Sequence, residues 1–452
     1  MTAPLIALRR DQANQARWTA VQALVFTSAA AATTFGAQRT ECWVDVQTVV
    51  PGRMVMSAGL SAPISAPIAC SDLLSIDHVG ERFRIAMVVP PYFDVPPKAY
   101  GGVEAVVADL VDSLVTRGHH VTLLGAGEPG TKATFVPVWD RALPERLGDP
   151  FPEVVHALKT RRAIERIAAT SGLDLVHDHT FAGPLNAPSY WGLGLPTVVT
   201  VHGPVEDDSY RYYHELGKEV ALVAISDRQR ALAPDLNWVG RVHNALHVEQ
   251  WPFQPEKGDY ALFLGRFNEC KAPHLALEAA HAAGIPLVLA GKCSEPSEQA
   301  YFEKKVRPLL TERDHVFGLA DAAAKRKLLA GARCLLFPIR WEEPFGMVMI
   351  ESMVCGTPVV ALRGGAVTEV IVDGVTGRIC DDPAELPAAI AEMRDMDPAA
   401  CRAHVEANFG ASTLGQGYEQ VYQQLLRSST AARASRWLGD AVPIRVAASE
   451  PV

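Results

Sequence analysis

Three neighbouring runs decide how the chain begins to fold: RIAMVVP (Arg84–Pro90), GGVEAVVADLVDSLVTRG (Gly101–Gly118) and HHVTLLG (His119–Gly125). The first is a short, β-branched apolar run stopped by Pro90 and Pro91, the pattern of a strand buried on both faces. The second opens on two glycines and then repeats Val103, Val106, Val107, Leu110, Leu114 and Val115 at helical spacing. The third is again a strand. Strand, loop, helix and strand packed this densely predict βαβ units, hence a parallel sheet with helices on both faces.

Further along the chain the same alternation recurs. A helix is expected around Val154–Thr170, followed by the strands LDLVHDH (Leu173–His179), TVVTVH (Thr197–His202) and EVALVAIS (Glu219–Ser226). A Pro- and Gly-bearing join near Gln254–Gly258 interrupts it. The pattern then restarts with DYALFLGRF, IPLVLAG, HVFG, CLLFP and TPVVAL as strands, separated by helical segments from about Ala272, Ser297 and Ala322 and after Pro344. The expected organisation is α/β, with two Rossmann-like halves over residues 82–250 and 251–410, a helix over 411–426 and a loose tail over 427–452. Such a pair leaves a deep cleft facing the carboxyl ends of both sheets, where open α/β folds bind ligands.

Composition agrees with two ordinary domains. Of 452 residues, 48% are apolar and 21% charged, which excludes a chain disordered throughout and supplies enough material for sizeable cores. Lys and Arg number 42 against 51 Asp and Glu, a net charge of −9 that argues against salt-driven nucleic-acid binding. Residues 1–81 contain no lysine and show no sustained period, so they read as a disordered N-terminal extension or as sequence upstream of a start at Met54 or Met56. Within them Ala20–Ala37, preceded by Arg9, Arg10 and Arg17, superficially resembles a signal peptide, but its apolar core is only ALVF. No run is apolar enough for an integral membrane span, which leaves peripheral membrane contact open. The eight cysteines form no C-x-x-C pair, so buried reduced thiols in a cytoplasmic protein are expected, and no metal site.

Several motifs carry chemistry. The string GAGEPG (Gly125–Gly130) follows a strand but precedes TKATFVPVW, which has strand character. With no helix N-terminus to hold a pyrophosphate, it reads as a turn and argues against a dinucleotide-dependent dehydrogenase. Gly101 and Gly102 stand directly before a helix, where backbone N–H groups can approach a phosphate. Arg266 follows a strand and Lys271 lies five residues on, two cations suited to a diphosphate. In FPIRWEEPFGMVMIESMVCGTPVV (Phe337–Val360), Pro344 suits a first helical turn and Gly346 permits close approach of an anion. Glu343 then falls at the lip of the loop and Glu351 two turns down the helix, so the two carboxylates can accept bonds from different sugar hydroxyls. An acidic residue inside MVMIESMV also asks for a partner.

These motifs together resemble the signature of the retaining GT-B glycosyltransferases of family 4. The resemblance rests on EEPFGMVMIESMVCGTPVVA, GRFNECKAPH, HVFG, GGAVTEVIVDGVTGRI and GGVE, and spans Arg84 to about Leu426. It implies transfer of a hexose from a nucleoside diphosphate sugar, UDP-glucose first and GDP-mannose next, to a small-molecule, glycan or lipid hydroxyl. By resemblance, Arg266 and Lys271 bind the donor diphosphate with help from Gly346 and the facing Gly101 and Gly102. Glu351 holds the ribose, Glu343 orients the sugar, and His202 sits beside it. Glu369 matches a glutamate of the family's G-x-x-x-E-V region. Where many relatives carry N-G-I-D, this chain has Asn244–Ala245–Leu246–His247, which lacks the glycine and the acid. Gly410–Leu426 resembles the terminal helix that crosses back to the first domain.

The implied chemistry needs no cofactor and no metal: the diphosphate leaves with growing charge, and fixed cations and helix N-termini stabilise it. Asp207–Asp208 reads as a solvated loop pair, and the loops Tyr92–Tyr100 and Pro204–Glu215 as acceptor-side segments without a legible code. The competing enzymatic readings are a nucleotide-sugar epimerase or a phosphorylase on the same two-domain scaffold.

Overall fold

The computed structural model describes residues 82–439, with side chains to residue 428; the expected extension over 1–81, and with it Cys42 and Cys70, lies outside the described residues. Both expected sheets are present and fully parallel. The N-terminal half contains β1 (Arg84–Val88), β2 (His120–Ala126), β3 (Thr134–Trp139), β4 (Leu175–Asp178), β5 (Thr197–Val201), β6 (Ala221–Ala224) and β7 (Trp238–Arg241), in the order β3-β2-β1-β4-β5-β6-β7. The C-terminal half contains β8 (Ala261–Leu264), β9 (Leu287–Ala290), β10 (His315–Gly318), β11 (Cys334–Phe337), β12 (Val359–Leu362) and β13 (Gly377–Cys380), in the order β10-β9-β8-β11-β12-β13. In each sheet the order reverses beside the first strand, between β1 and β4 and between β8 and β11, the point at which open α/β folds place their ligands. This is the two-domain GT-B arrangement.

The helices that position the site are α1 (Gly102–Thr116), α2 (Pro150–Thr170), α3 (Asp207–Leu216), α4 (Asp227–Leu232), α5 (Pro273–Ala282), α6 (Ala322–Gly331), α7 (Met347–Val354) and α8 (Ala411–Gly439). The valine and leucine face of α1 buries Val106, Val107, Leu110, Val111 and Leu114 against Ile85 and Met87 of β1. That same core takes Leu414, Tyr418, Val421 and Tyr422 from α8, so the last helix completes the first half. Burying each such side chain contributes about 1.5–3 kcal/mol. The Arg117–Glu419 ion pair, with His119 beside the same carboxylate, closes its edge.

Three expectations needed revision. Residues 204–215, read as a loop, are mostly α3: Glu206 and Ser209 form a reciprocal cap, and Tyr213 and Leu216 supply the buried face. Asp207 and Asp208 therefore sit in its first turn, where the helix dipole favours acids. Pro344 lies before α7 rather than in its first turn, since the helix starts at Met347 with Gly346 as its N-cap. The tail expected from Arg427 is helical backbone as far as Gly439.

Candidate active site

Between the halves lies a cavity of about 720 Å³, lined from the N-terminal side by Gly101, Gly102, Glu104 and His202 and from the C-terminal side by Arg266, Lys271, Glu343 and Gly346. A second cavity of about 280 Å³ shares Gly101, Gly102 and Arg266 with it and is closed by Trp251, Lys325, Arg326 and Glu351. The fold thus brings all eight candidate residues onto two adjoining chambers. The stretch they share is Tyr100–Gly102 on one side and Leu264–Arg266 with Met347 and Val348 on the other.

The glycines are there for conformation and for space. Gly101 has φ 143°, and a Cβ on it would lie 2.8 Å from Pro97 Cβ. Gly346 has φ 82°, and its Cβ would lie 2.7 Å from Met349 Cε. Both directly precede a helix, so side-chain-free backbone is presented where N–H groups are unsatisfied.

On the C-terminal wall Lys271, Arg266 and Lys325 each meet a carboxylate. Lys271 Nζ pairs with Glu343 Oε2, which also accepts a 2.8 Å bond from Trp341 Nε1. The ammonium lies 5.0 Å from the Trp341 ring centre. The loop that delivers Lys271 is folded by Asn268, whose side chain accepts from Lys271 N and whose carbonyl accepts from Ala272 N, both at 3.0 Å. Arg266 donates to Glu298 at 2.6 Å and to Glu295 at 2.7 Å. Glu351, buried in the second turn of α7, accepts from Lys325 at 2.6 Å, which answers the question of its partner. Lys325 and Arg326 both lie 5.3 Å from the Trp251 ring centre.

The N-terminal wall holds its polar groups differently. His202 Nε2 and His179 Nδ1 share a 2.9 Å hydrogen bond, and His179 Nε2 lies 3.0 Å from Met87 Sδ. Behind them His177 bonds Tyr422 and Thr200, each at 2.7 Å, and Thr200 bonds Tyr418 at 2.7 Å. Burial pushes His202 down to about 4 and holds His177 and His179 well below the usual histidine range, so all three are neutral near pH 7. Burial pushes the Glu104 carboxyl the other way, up to about 7. His177, His179 and Glu104 were not singled out from sequence. The readable signal was the H-x-H in LVHDH, which puts two imidazoles on one face of β4.

A third group of contacts ties the halves together. Arg228 Nε and Nη2 donate to Glu342 at 2.9 and 2.7 Å, and the same carboxylate accepts from Gly365 N at 3.0 Å. Glu369 accepts from the backbone N–H groups of Asp227 and Arg228, both at 2.7 Å, and lies 3.0 Å from His243 Nε2. A carboxylate of the C-terminal half therefore caps α4 of the N-terminal half. Burial opposes its charge, yet the bonds from His243 and the two amides keep its carboxyl below the usual range. At the departure Asn244–Ala245–Leu246–His247 the missing glycine needs no replacement: neither Ala245 nor Leu246 has positive φ, both are buried, and Leu246 exchanges backbone bonds with Phe409 and Ala411. Among the described residues, no group of three or more His, Cys, Asp or Glu is arranged to hold a metal ion, and no helix is long and apolar enough to cross a membrane.

Known proteins match both halves. Residues 100–246 match the family model described as Glycosyltransferase Family 4, and residues 249–404 match that described as Glycosyl transferases group 1. The alpha-maltose-1-phosphate synthase of Mycobacterium tuberculosis is 30% identical over 68% of this chain and 88% of its own length. The phosphatidyl-myo-inositol mannosyltransferase of Mycolicibacterium smegmatis is 29% identical over 70% of this chain and 85% of its own. Among solved structures, AviGT4, a glycosyltransferase involved in avilamycin A biosynthesis, superposes with a TM-score of 0.56 at 26% identity, covering 76% of this chain and 98% of that one. The sucrose-phosphate synthase of Thermosynechococcus elongatus shares the fold with a TM-score of 0.62 at 20% identity, over 77% of this chain and 100% of that one.

Proposed function

This chain belongs to the group 1 glycosyltransferases, and on that premise we propose that it moves a hexose from a nucleoside diphosphate sugar to a hydroxyl acceptor with retention of anomeric configuration. The observation that carries the reading is that Arg266 and the first turn of α7, at Met347 and Val348, line both chambers, with Lys271 in the larger one. In this reading the diphosphate spans that border. The nucleoside occupies the smaller chamber, with its ribose on Glu351. The hexose extends into the larger one between Glu343 and His202.

Cleavage of the sugar–phosphate bond leaves negative charge on the diphosphate. Lys271, Arg266 and the amides beside Gly346 and Gly101 stabilise it, so removing one contact raises the barrier by about 2–4 kcal/mol. Lys271 exchanges Glu343 for a phosphate oxygen as the donor enters, which releases that carboxylate to accept from sugar hydroxyls. Glu343 then positions rather than attacks, and the leaving phosphate takes the acceptor's proton on the same face. His202, neutral at pH 7, can bond a sugar hydroxyl without repelling the cationic character that develops at the anomeric carbon.

We propose UDP-glucose as the donor, with GDP-mannose second, and a reaction in the cytoplasm that needs neither metal nor cofactor. The test is a panel of nucleotide sugars scored by thermal stabilisation, slow hydrolysis and product analysis, with Glu343→Ala and Lys271→Ala as controls. Stabilisation by one nucleotide sugar and an α-linked product from an α-linked donor support the reading. An inverted product, a trapped glycosyl–Glu343 adduct, or loss of transfer in chelator each removes one part of it. An isomerised sugar nucleotide, or dependence on inorganic phosphate, would replace it with the epimerase or the phosphorylase.

A further inference from the structure

We infer that the acceptor carries its hydroxyl on an uncharged, largely apolar body and bears no phosphate or carboxylate, a reading that rests on the transfer proposed above. The larger chamber shows why. Its lining from the N-terminal half includes Tyr92, Phe93, Tyr100, Leu147 and Phe181, and contains no lysine or arginine. The only acids in that lining are Glu104 and Glu153. An adjoining cavity of about 410 Å³ adds Glu206 and Asp207, and its one cation, Arg228, is held through Nε and Nη2 by Glu342. The cations of the opposite wall, Arg266 and Lys271, already answer to carboxylates and face the donor side.

A phosphate on the acceptor would enter a partly desolvated wall that offers it carboxyl groups and no counter-charge. Taking an anion out of water without a paired cation is strongly disfavoured. The apolar groups are built the other way, with faces left to offer. Phe181 is 54% exposed at the chamber mouth and stacks on Tyr212 at 4.5 Å, while Leu147 and Tyr100 are 41% and 38% exposed. Rings and branched chains held open beside a cleft favour an apolar or aromatic ligand face.

The full chain, supplied with the nucleotide sugar that stabilises it, is offered 4-nitrophenyl glucoside, octyl glucoside, glucose, glucose 6-phosphate and phosphatidylinositol vesicles. The expected kcat/KM for the aryl or octyl glucoside exceeds that for glucose at least tenfold, and glucose exceeds glucose 6-phosphate at least tenfold, with no transfer to the vesicles. Phe181→Lys, a change at an exposed side chain, should narrow the gap between glucose and its phosphate severalfold. A phosphate-bearing compound as the best acceptor, no gain from the apolar body, or an unchanged ratio in the lysine variant overturns the inference. So does hydrolysis of the donor with transfer to none of the five. Absence of donor binding and hydrolysis is a different failure, because it removes the transfer reading itself.

Discussion

On the C-terminal wall of the cleft, Lys271, Lys325 and Arg266 each lie against a glutamate; on the N-terminal wall, three histidines are held neutral and Glu104 stands with no cation near it. The first wall keeps charge in the cleft by pairing it, so that a donor's phosphates can replace a carboxylate as partner. The second suppresses charge by burial. A surface of the first kind receives an anion; one of the second kind receives a neutral molecule. In the proposed transfer the donor belongs to the first wall and the acceptor to the second.

The largest effect that would break this contrast belongs to Lys271. Lys271→Ala should lower kcat/KM by the equivalent of about 2–4 kcal/mol, whereas truncation of an acceptor-wall ring should mainly raise the acceptor KM. Steady-state kinetics on both variants reads it, and a loss below tenfold for the lysine would mean that the paired wall is not the diphosphate site.

Next comes the response to pH. Glu104 titrates about 7 in the folded protein against 4.5 in the open chain, so it stays protonated on folding while the unfolded chain ionises. Its contribution is therefore fully present below pH 4.5 and is lost as pH rises to 7, a total of about 3 kcal/mol. His202 does the reverse. Its folded value of about 4 lies below the ordinary 6.5, so stability falls as pH drops from 6.5 towards 4. The two oppose each other between pH 4.5 and 6.5, so Glu104→Gln should make stability fall less, or rise more, with pH over that window than in the unsubstituted protein. Chemical denaturation at several pH values is the measurement; parallel curves for the two proteins would show that Glu104 is not buried in its protonated form.

The smallest effect sharpens the comparison where the walls meet. Arg228–Glu342 is half-exposed, so Arg228→Ala should cost only about 0.2–1 kcal/mol in stability. Because Glu342 adjoins Glu343, kcat should fall severalfold while donor affinity stays within twofold, an estimate on the order expected for a small displacement of a positioned group. Exchanging the charges in Arg228→Glu/Glu342→Arg should recover part of the loss. No recovery would leave the contact as packing alone.

How much could be read from the sequence follows the same division. Arg266, Lys271 and Glu343 stand in loops between a strand and the next helix, and Glu351 sits inside an apolar helical run, where an acid asks for a partner. Tyr92, Phe181 and His179 arrive from separate segments, and each residue type is ordinary core material until the fold sets it beside a cavity. The segment over α3 escaped because its buried face is Tyr213 and Leu216 among polar neighbours, too sparse for a helical period. Glu369 carried no legible role, since two of its three partners are backbone amides, at Asp227 and Arg228, and amides leave no trace in a sequence.

The return of α8 to the first half also has a consequence for synthesis. A ribosome releases β1 and α1 long before Tyr418 and Tyr422, so the early half must wait with an open face while the later half is translated and folds. A stop codon just before residue 411 would spare the half it adjoins in sequence and leave the distant one incomplete.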